Sequence, residues 1–73
     1  MEVQLNHSRK GWTVCVIGLR RKCTDTFGDY TSAARWAFER RDRLVMQGWA
    51  DARLRILARE TPSGELELCN IVE

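Results

Sequence analysis

One histidine, His7, and three cysteines, Cys15, Cys23 and Cys69, are the side chains of this 73-residue chain best suited to metal binding or nucleophilic chemistry. Together they would make a three-Cys, one-His zinc set. Zinc sites in short domains normally bring two ligands two to four residues apart, and no two of these stand so close. His7 falls in a polar turn, so neither a Ser–His–acid order nor a Cys–His pair can be placed around it. Five scattered glycines, Gly11, Gly18, Gly28, Gly48 and Gly64, leave no phosphate-cradling loop. Asp25, Asp29 and the glutamates form no acid–base pair. No enzyme is expected, and no cofactor or metal. An odd cysteine count without a short paired spacing reads as reduced thiols in a cytoplasmic protein.

Charge is the other chemical resource. Ten arginines and two lysines stand against ten acids, for a net charge of +2, too mild to announce nucleic acid. Arginine forks suit bidentate recognition of carboxylate or phosphate, so the arginine bias favours an interaction surface. The same bias also follows from a GC-rich coding sequence. With 44% hydrophobic and 30% charged residues, the chain reads as one small folded domain over 1–73 with a thin core. No apolar run approaches the 18 residues of a membrane helix, and Met1 leads straight into a polar alternating segment rather than a secretory leader.

The elements that must position these residues follow from periodicity. Glu2 to Asn6 alternates at period two, His7 to Gly11 reads as a turn, and Trp12 to Leu19 is a strand apolar on both faces. Arg20 to Tyr30 is dense in turn formers and reads as a loop. Asp29 or Thr31 can cap a helix that runs from about Thr31 or Ser32 to about Gln47, with Gly48 as its stop. Ala52 to Arg59 alternates again, apolar against mostly basic. Thr61-Pro62-Ser63-Gly64-Glu65 then forms a three-residue hairpin loop before a last strand, Glu65 to Val72. That loop places Arg59 opposite Glu67, Ala58 opposite Leu68, Leu57 opposite Cys69 and Leu54 opposite Val72. The expected fold is α+β, ββαββ: a four-stranded antiparallel sheet with one helix on one face.

On a helical wheel Ala33, Ala34, Ala37, Phe38, Leu44 and Val45 share one arc, the expected buried stripe. Arg41 lies near its middle. Its stem either folds over the core with the guanidinium in water, or the helix kinks or ends there, or Arg41 meets a partner's acid. Trp36, Glu39, Arg40 and Arg43 occupy the other arc. Trp36 beside arginines has the composition of a binding hot spot, or else Trp36 covers the 20–30 loop as core. Arg53 and Arg55 add a basic strand face. Trp36, Arg40, Arg43, Arg53 and Arg55 are therefore the expected partner-binding residues. One helix covers one sheet face, so either Trp12, Val14 and Val16 or Cys15, Ile17 and Leu19 stay near solvent, and such a patch marks partner docking or a homodimer through the open sheet face.

Gly11-Trp12-Thr13-Val14, followed by Phe27, Ser32-Ala33-Ala34 and Ala37, resembles the skeleton of small bacterial and phage ββαββ domains. Leu54 to Glu65 (LRILARETPSGE) resembles their closing hairpin. In size and α+β make-up the chain is also similar to anti-CRISPR proteins, phage accessory proteins without an active site. That resemblance implies a non-catalytic protein that binds and inhibits or modulates a larger host complex. Because the chain is slightly basic rather than acidic, it would cover a protein surface rather than imitate DNA. The alternative is a small nucleic-acid-binding accessory protein using Arg53, Arg55 and Arg59 with the loop bases Arg9, Lys10, Arg20, Arg21 and Lys22. A simple hairpin puts those loops at opposite ends of one strand, and Glu65 and Glu67 neutralise part of the arginine stripe.

Overall fold

The computed structural model describes the backbone of residues 1–73 and every side chain except that of Thr24. Five strands and one helix follow in the order β1 (Glu2–Ser8), β2 (Gly11–Ile17), β3 (Arg21–Phe27), α1 (Tyr30–Met46), β4 (Arg53–Glu60) and β5 (Leu66–Val72). They form one mixed sheet in the spatial order β3-β2-β1-β4-β5. Neighbours are antiparallel except β1 and β4, which run parallel from Glu2 beside Arg53 to Leu5 beside Ile56.

This corrects the expected four-stranded antiparallel ββαββ sheet, and a single strand explains the difference. Arg21 to Phe27, read as loop, is the edge strand β3. Its charged and turn-forming residues suit an edge, where one side of the ladder faces water. Its register also shifts between Val14 and Cys15 of β2, which spoils any clean alternation. One more strand reverses the chain once more before the helix. The strand after α1 therefore runs with β1 instead of against it.

Local chemistry fixes the connections. Arg9 and Lys10 make a two-residue turn closed by Gly11 at φ +121°, where a Cβ would collide with the carbonyl of Phe27. Asp29 caps α1 by accepting the Ser32 amide proton at 2.9 Å, and this bond holds its carboxyl below the ordinary value. Ala33 and Ala37 are fully buried and let the helix lie close to the sheet. Beneath them Val3 and Leu5 of β1, Val14 of β2 and Leu54 of β4 are also fully buried, so the core sits over the central strands. No helix of the structure is long and apolar enough to cross a membrane.

The stripe on α1 keeps Ala33, Ala34, Ala37, Phe38 and Leu44 of the expected arc, buried or packed against the core, and departs from it at Val45 and Trp36. Ala33, Ala37 and Leu44 are buried, Val45 is 41% exposed, and Trp36 packs against the core with its ring 6.3 Å from that of Phe27. Phe27 belongs to β3, so the unexpected strand is what draws Trp36 inward. The helix is continuous through Arg41, whose half-buried side chain bonds Asp42 at 3.1 Å and sets its guanidinium 5.4 Å from the Phe38 ring. The reading in which the helix kinks or ends at Arg41 is thereby excluded.

The last hairpin keeps the expected pairs Arg59–Glu67 and Ala58–Leu68, then shifts register between Ala58 and Ile56. Ile71 meets Ile56 and Val72 meets Arg55, not Leu54. The shift turns Ile71 rather than Asn70 toward the core side, while the Cys69 thiol donates to the Ile56 carbonyl at 3.3 Å.

Cys15 and Cys23 are also corrected. They stand directly opposite on β2 and β3 and are joined by a disulfide, leaving Cys69 as the free thiol. Their separation of eight residues gives no cue until the β2–β3 hairpin folds it onto one pair. Closing so short a loop restricts the unfolded chain by about 2.5 kcal/mol. Reduction should therefore lower the urea midpoint of unfolding by an amount worth about 2 kcal/mol while leaving the far-UV circular dichroism of the native state unchanged.

Candidate protein-binding surface

Arg53, Arg55, Trp36, Arg40 and Arg43 do not converge. The last three lie on one flank of α1, on the helix side of the sheet. Trp36 is half-buried on Phe27, Arg40 is half-buried and Arg43 is exposed. With Glu39 they enclose a crevice of only about 10 Å³, room for a single water. The indole Nε1 of Trp36 is buried without a hydrogen-bond partner among the described residues. Arg53 and Arg55 alternate with the buried Leu54 and Ile56, so they point from the opposite sheet face.

That opposite face is polar and internally paired. Arg55 Nε donates to Glu2 at 3.0 Å, and its Nη1 donates to Asn70 of β5. The Glu2 carboxyl is held below its ordinary 4.5, first by the Gln4 amide donating at 2.8 Å; burial opposes this and Arg55 adds to it. Arg59 pairs with Glu67 at 3.2 Å. Of the strand-two residues expected near solvent, Cys15 is 1% exposed, Ile17 is half-buried, and Leu19 stands outside the sheet in the turn after β2. The loop bases are divided by the length of β2: Arg9 and Lys10 at one end, Arg20 and the first residues of β3 at the other.

His7 and the cysteines are likewise apart from one another in role. The His7 ring lies edge-on to Trp12 at 4.8 Å, Cys15 is bonded to Cys23, and Cys69 is held by Ile56.

Exposed apolar side chains also gather at a place where the sequence reading had named only Arg53 and, on the open sheet face, Ile17 and Leu19. At the sheet end where β1 starts and β2 stops, Met1, Ile17, Gly18, Leu19 and Trp49 line an open cleft of about 940 Å³ with Glu2, Asp51 and Arg53 at its rim. A second concavity of about 570 Å³, lined in part by Val45 and Met46, meets it along Asp51 and Arg53. Leu19 is fully exposed, Met46 is 88% exposed and Trp49 46%. Arg53 has no ion pair among the described residues.

Backbone hydrogen bonds hold Trp49 in place. Gly48, at φ +105°, ends the helix, with its amide on the Val45 carbonyl at 3.1 Å and the Trp49 amide on that of Leu44 at 3.0 Å. This double capping bond is the helix stop that places the second residue past the cap against the last turn. The Trp49 carbonyl then accepts from Ala52 at 2.9 Å, and the chain enters β4. Trp49 was legible in one respect: a tryptophan just after a helix-ending glycine, in neither a helical nor a strand period, has no core position assigned to it.

No protein-family model matches the chain, and neither a curated protein nor a solved structure matches it.

Two outcomes separate the roles of these faces. Trp36→Ala should cost about 2–3 kcal/mol of stability because it empties a half-buried site on Phe27, whereas Arg43→Ala should stay within about 0.5 kcal/mol; chemical denaturation measures both. Because Glu2 binds its proton less readily in the native state than in the unfolded chain, its contribution is present above pH 4.5 and fades as pH falls through its lowered native value. Glu2→Gln should remove that part of the acid limb in a pH series of melting curves.

Proposed function

We propose that the protein is a non-catalytic protein-binding module that docks through the sheet-end surface of Leu19, Met46, Trp49 and Arg53. The observation that carries the reading is this cluster of exposed apolar side chains around an open cleft, beside a cation that has no ion pair among the described residues. Small monomers rarely leave such residues together in water without a partner to cover them. A tryptophan anchored by backbone hydrogen bonds has little freedom to lose on docking, which suits a hot spot. The fitting partner surface carries an apolar side chain to fill the cleft and a carboxylate for Arg53.

The likeness in type to phage accessory proteins makes a larger host complex the partner class we favour, with steric inhibition or modulation as the consequence. Trp36, Arg40 and Arg43 would then serve as a second contact on the helix flank. The cytoplasm is the compartment we propose. There Cys15 and Cys23 would be held as two thiols, and the staple would form on oxidation.

The test is capture from nuclease-treated lysate with tagged protein, read by mass spectrometry beside Trp49→Ala and Leu19→Asp. A stoichiometric protein complex retained by the native chain and reduced at least ten-fold by either variant is expected. Recovery that disappears with the nucleic acid, together with affinity falling steeply with salt, would replace this reading with phosphate binding by the arginines.

A further inference from the structure

The disulfide joins two cysteines of unequal access. Cys15 stands opposite Gln4, which stands beside Arg55, so Cys15 lies on the sheet face away from α1. It is nonetheless only 1% exposed, whereas Cys23, on the edge strand β3, is exposed. No strand lies beyond β3 to shield it. Arg21 Nη2 donates toward the Cys15 sulfur at 3.9 Å, and Arg21 has no ion pair among the described residues. The register shift at Val14/Cys15 also sets the stretch of Cys15–Ile17 with Arg21–Cys23 apart from the rest of the β2–β3 ladder. Thiol–disulfide exchange needs these features: one sulfur that a reagent reaches and another that leaves as a stabilised anion.

We propose that Cys15–Cys23 is a reversible exchange site for small thiols, entered at Cys23, with Arg21 as the positioning residue that assists the departure of Cys15. In the reducing direction a low-molecular-weight thiolate attacks the Cys23 sulfur. The bond between the two cysteines breaks, its electron pair passes to Cys15 as a thiolate, and a mixed disulfide remains on Cys23. A second small thiolate attacks the outer sulfur of that adduct, forms the small-molecule disulfide and expels the Cys23 thiolate. The two protons that the small thiols lost end on Cys15 and Cys23. Two small thiols are oxidised as one protein bond is reduced, and the small-molecule disulfide runs the same steps backward. The guanidinium beside Cys15 stabilises the charge that collects there, and a better-stabilised leaving thiolate departs faster. Cys69 is half-buried with its thiol on the Ile56 carbonyl and has no second sulfur to exchange with. The site does not depend on the sheet-end docking surface.

The oxidised chain treated with 2-mercaptoethanol in the absence of denaturant, then alkylated and mapped by mass spectrometry, tests it. Reduction should go to completion with the far-UV circular dichroism unchanged and at a rate proportional to thiol concentration, and the oxidised reagent should restore the bond. In Cys15→Ser the oxidised reagent should leave its adduct on Cys23; in Cys23→Ser the buried Cys15 should take the adduct at least ten-fold more slowly. Arg21→Gln, which keeps both sulfurs, should slow release of the native bond at least three-fold. Combined with Cys15→Ser, it should leave removal of the adduct from Cys23 unchanged, a split that a merely structural role for Arg21 would not produce. A bond that resists the thiol until the chain unfolds, a rate that levels off as thiol is raised, equal adduct formation on Cys15 and Cys23, or a release rate indifferent to Arg21→Gln would each overturn the proposal.

Discussion

Four residue pairs, Glu2–Arg53 to Leu5–Ile56, join the two halves of this protein. On one side lies the β1-β2-β3 meander, on the other the β4-β5 hairpin, and neither has a core of its own. Hairpins alone are marginal in water, and a chain of this size buries only about 60% of its unfolded surface. The parallel ladder brings Val3 and Leu5 beside Leu54 and Ile56, and α1 closes over all four. On the far face, Arg55 reaches from β4 to Glu2 of β1 and to Asn70 of β5, so three strands share one guanidinium. Apolar cover on one side and a charge-assisted bridge on the other hold the same seam.

The exposed apolar surfaces are consequences of that seam. Because β4 starts beside the first residue of β1, the connection from α1 must turn sharply after Met46. Gly48 permits the turn, and its capping bonds leave Trp49 beside the β2–β3 turn that carries Leu19. Because the helix is centred over β1 and its neighbours, it cannot also reach β5. One crossing thus exposes a tryptophan at the sheet end and a leucine-bearing strand at the sheet edge. The disulfide acts at the other side, fastening the charged edge strand β3 to β2.

Much of this was legible in the residues. The hairpin loop at Pro62–Gly64, the cap at Asp29, the stop at Gly48 and the alternation of Leu54, Ile56 and Ala58 are local signals, and local rules read them correctly. β3 escaped because an edge strand needs charge and tolerates turn formers, so its sequence is that of a loop. From that one element came the parallel pairing and the meeting of Cys15 with Cys23, neither of which is encoded nearby in sequence, while the inward turn of Trp36 onto the 20–30 segment was one of its two readings. The proposed binding surface was legible only in part. Arg53 was named, while Leu19 was assigned to the open sheet face and Trp49 to no role, since its position depends on the helix stop and the start of β4 together.

The parallel seam can be read directly from backbone nuclear Overhauser contacts between β1 and β4 in the uniformly labelled protein. The structure requires amide-to-α-proton contacts that advance together, from Val3 with Leu54 and its neighbours to Leu5 with Ile56 and its neighbours. Contacts that advance in opposite directions along the two strands, or a β1 whose neighbours are β2 and β5, would contradict the fold and with it the placement of Trp49 and Leu68.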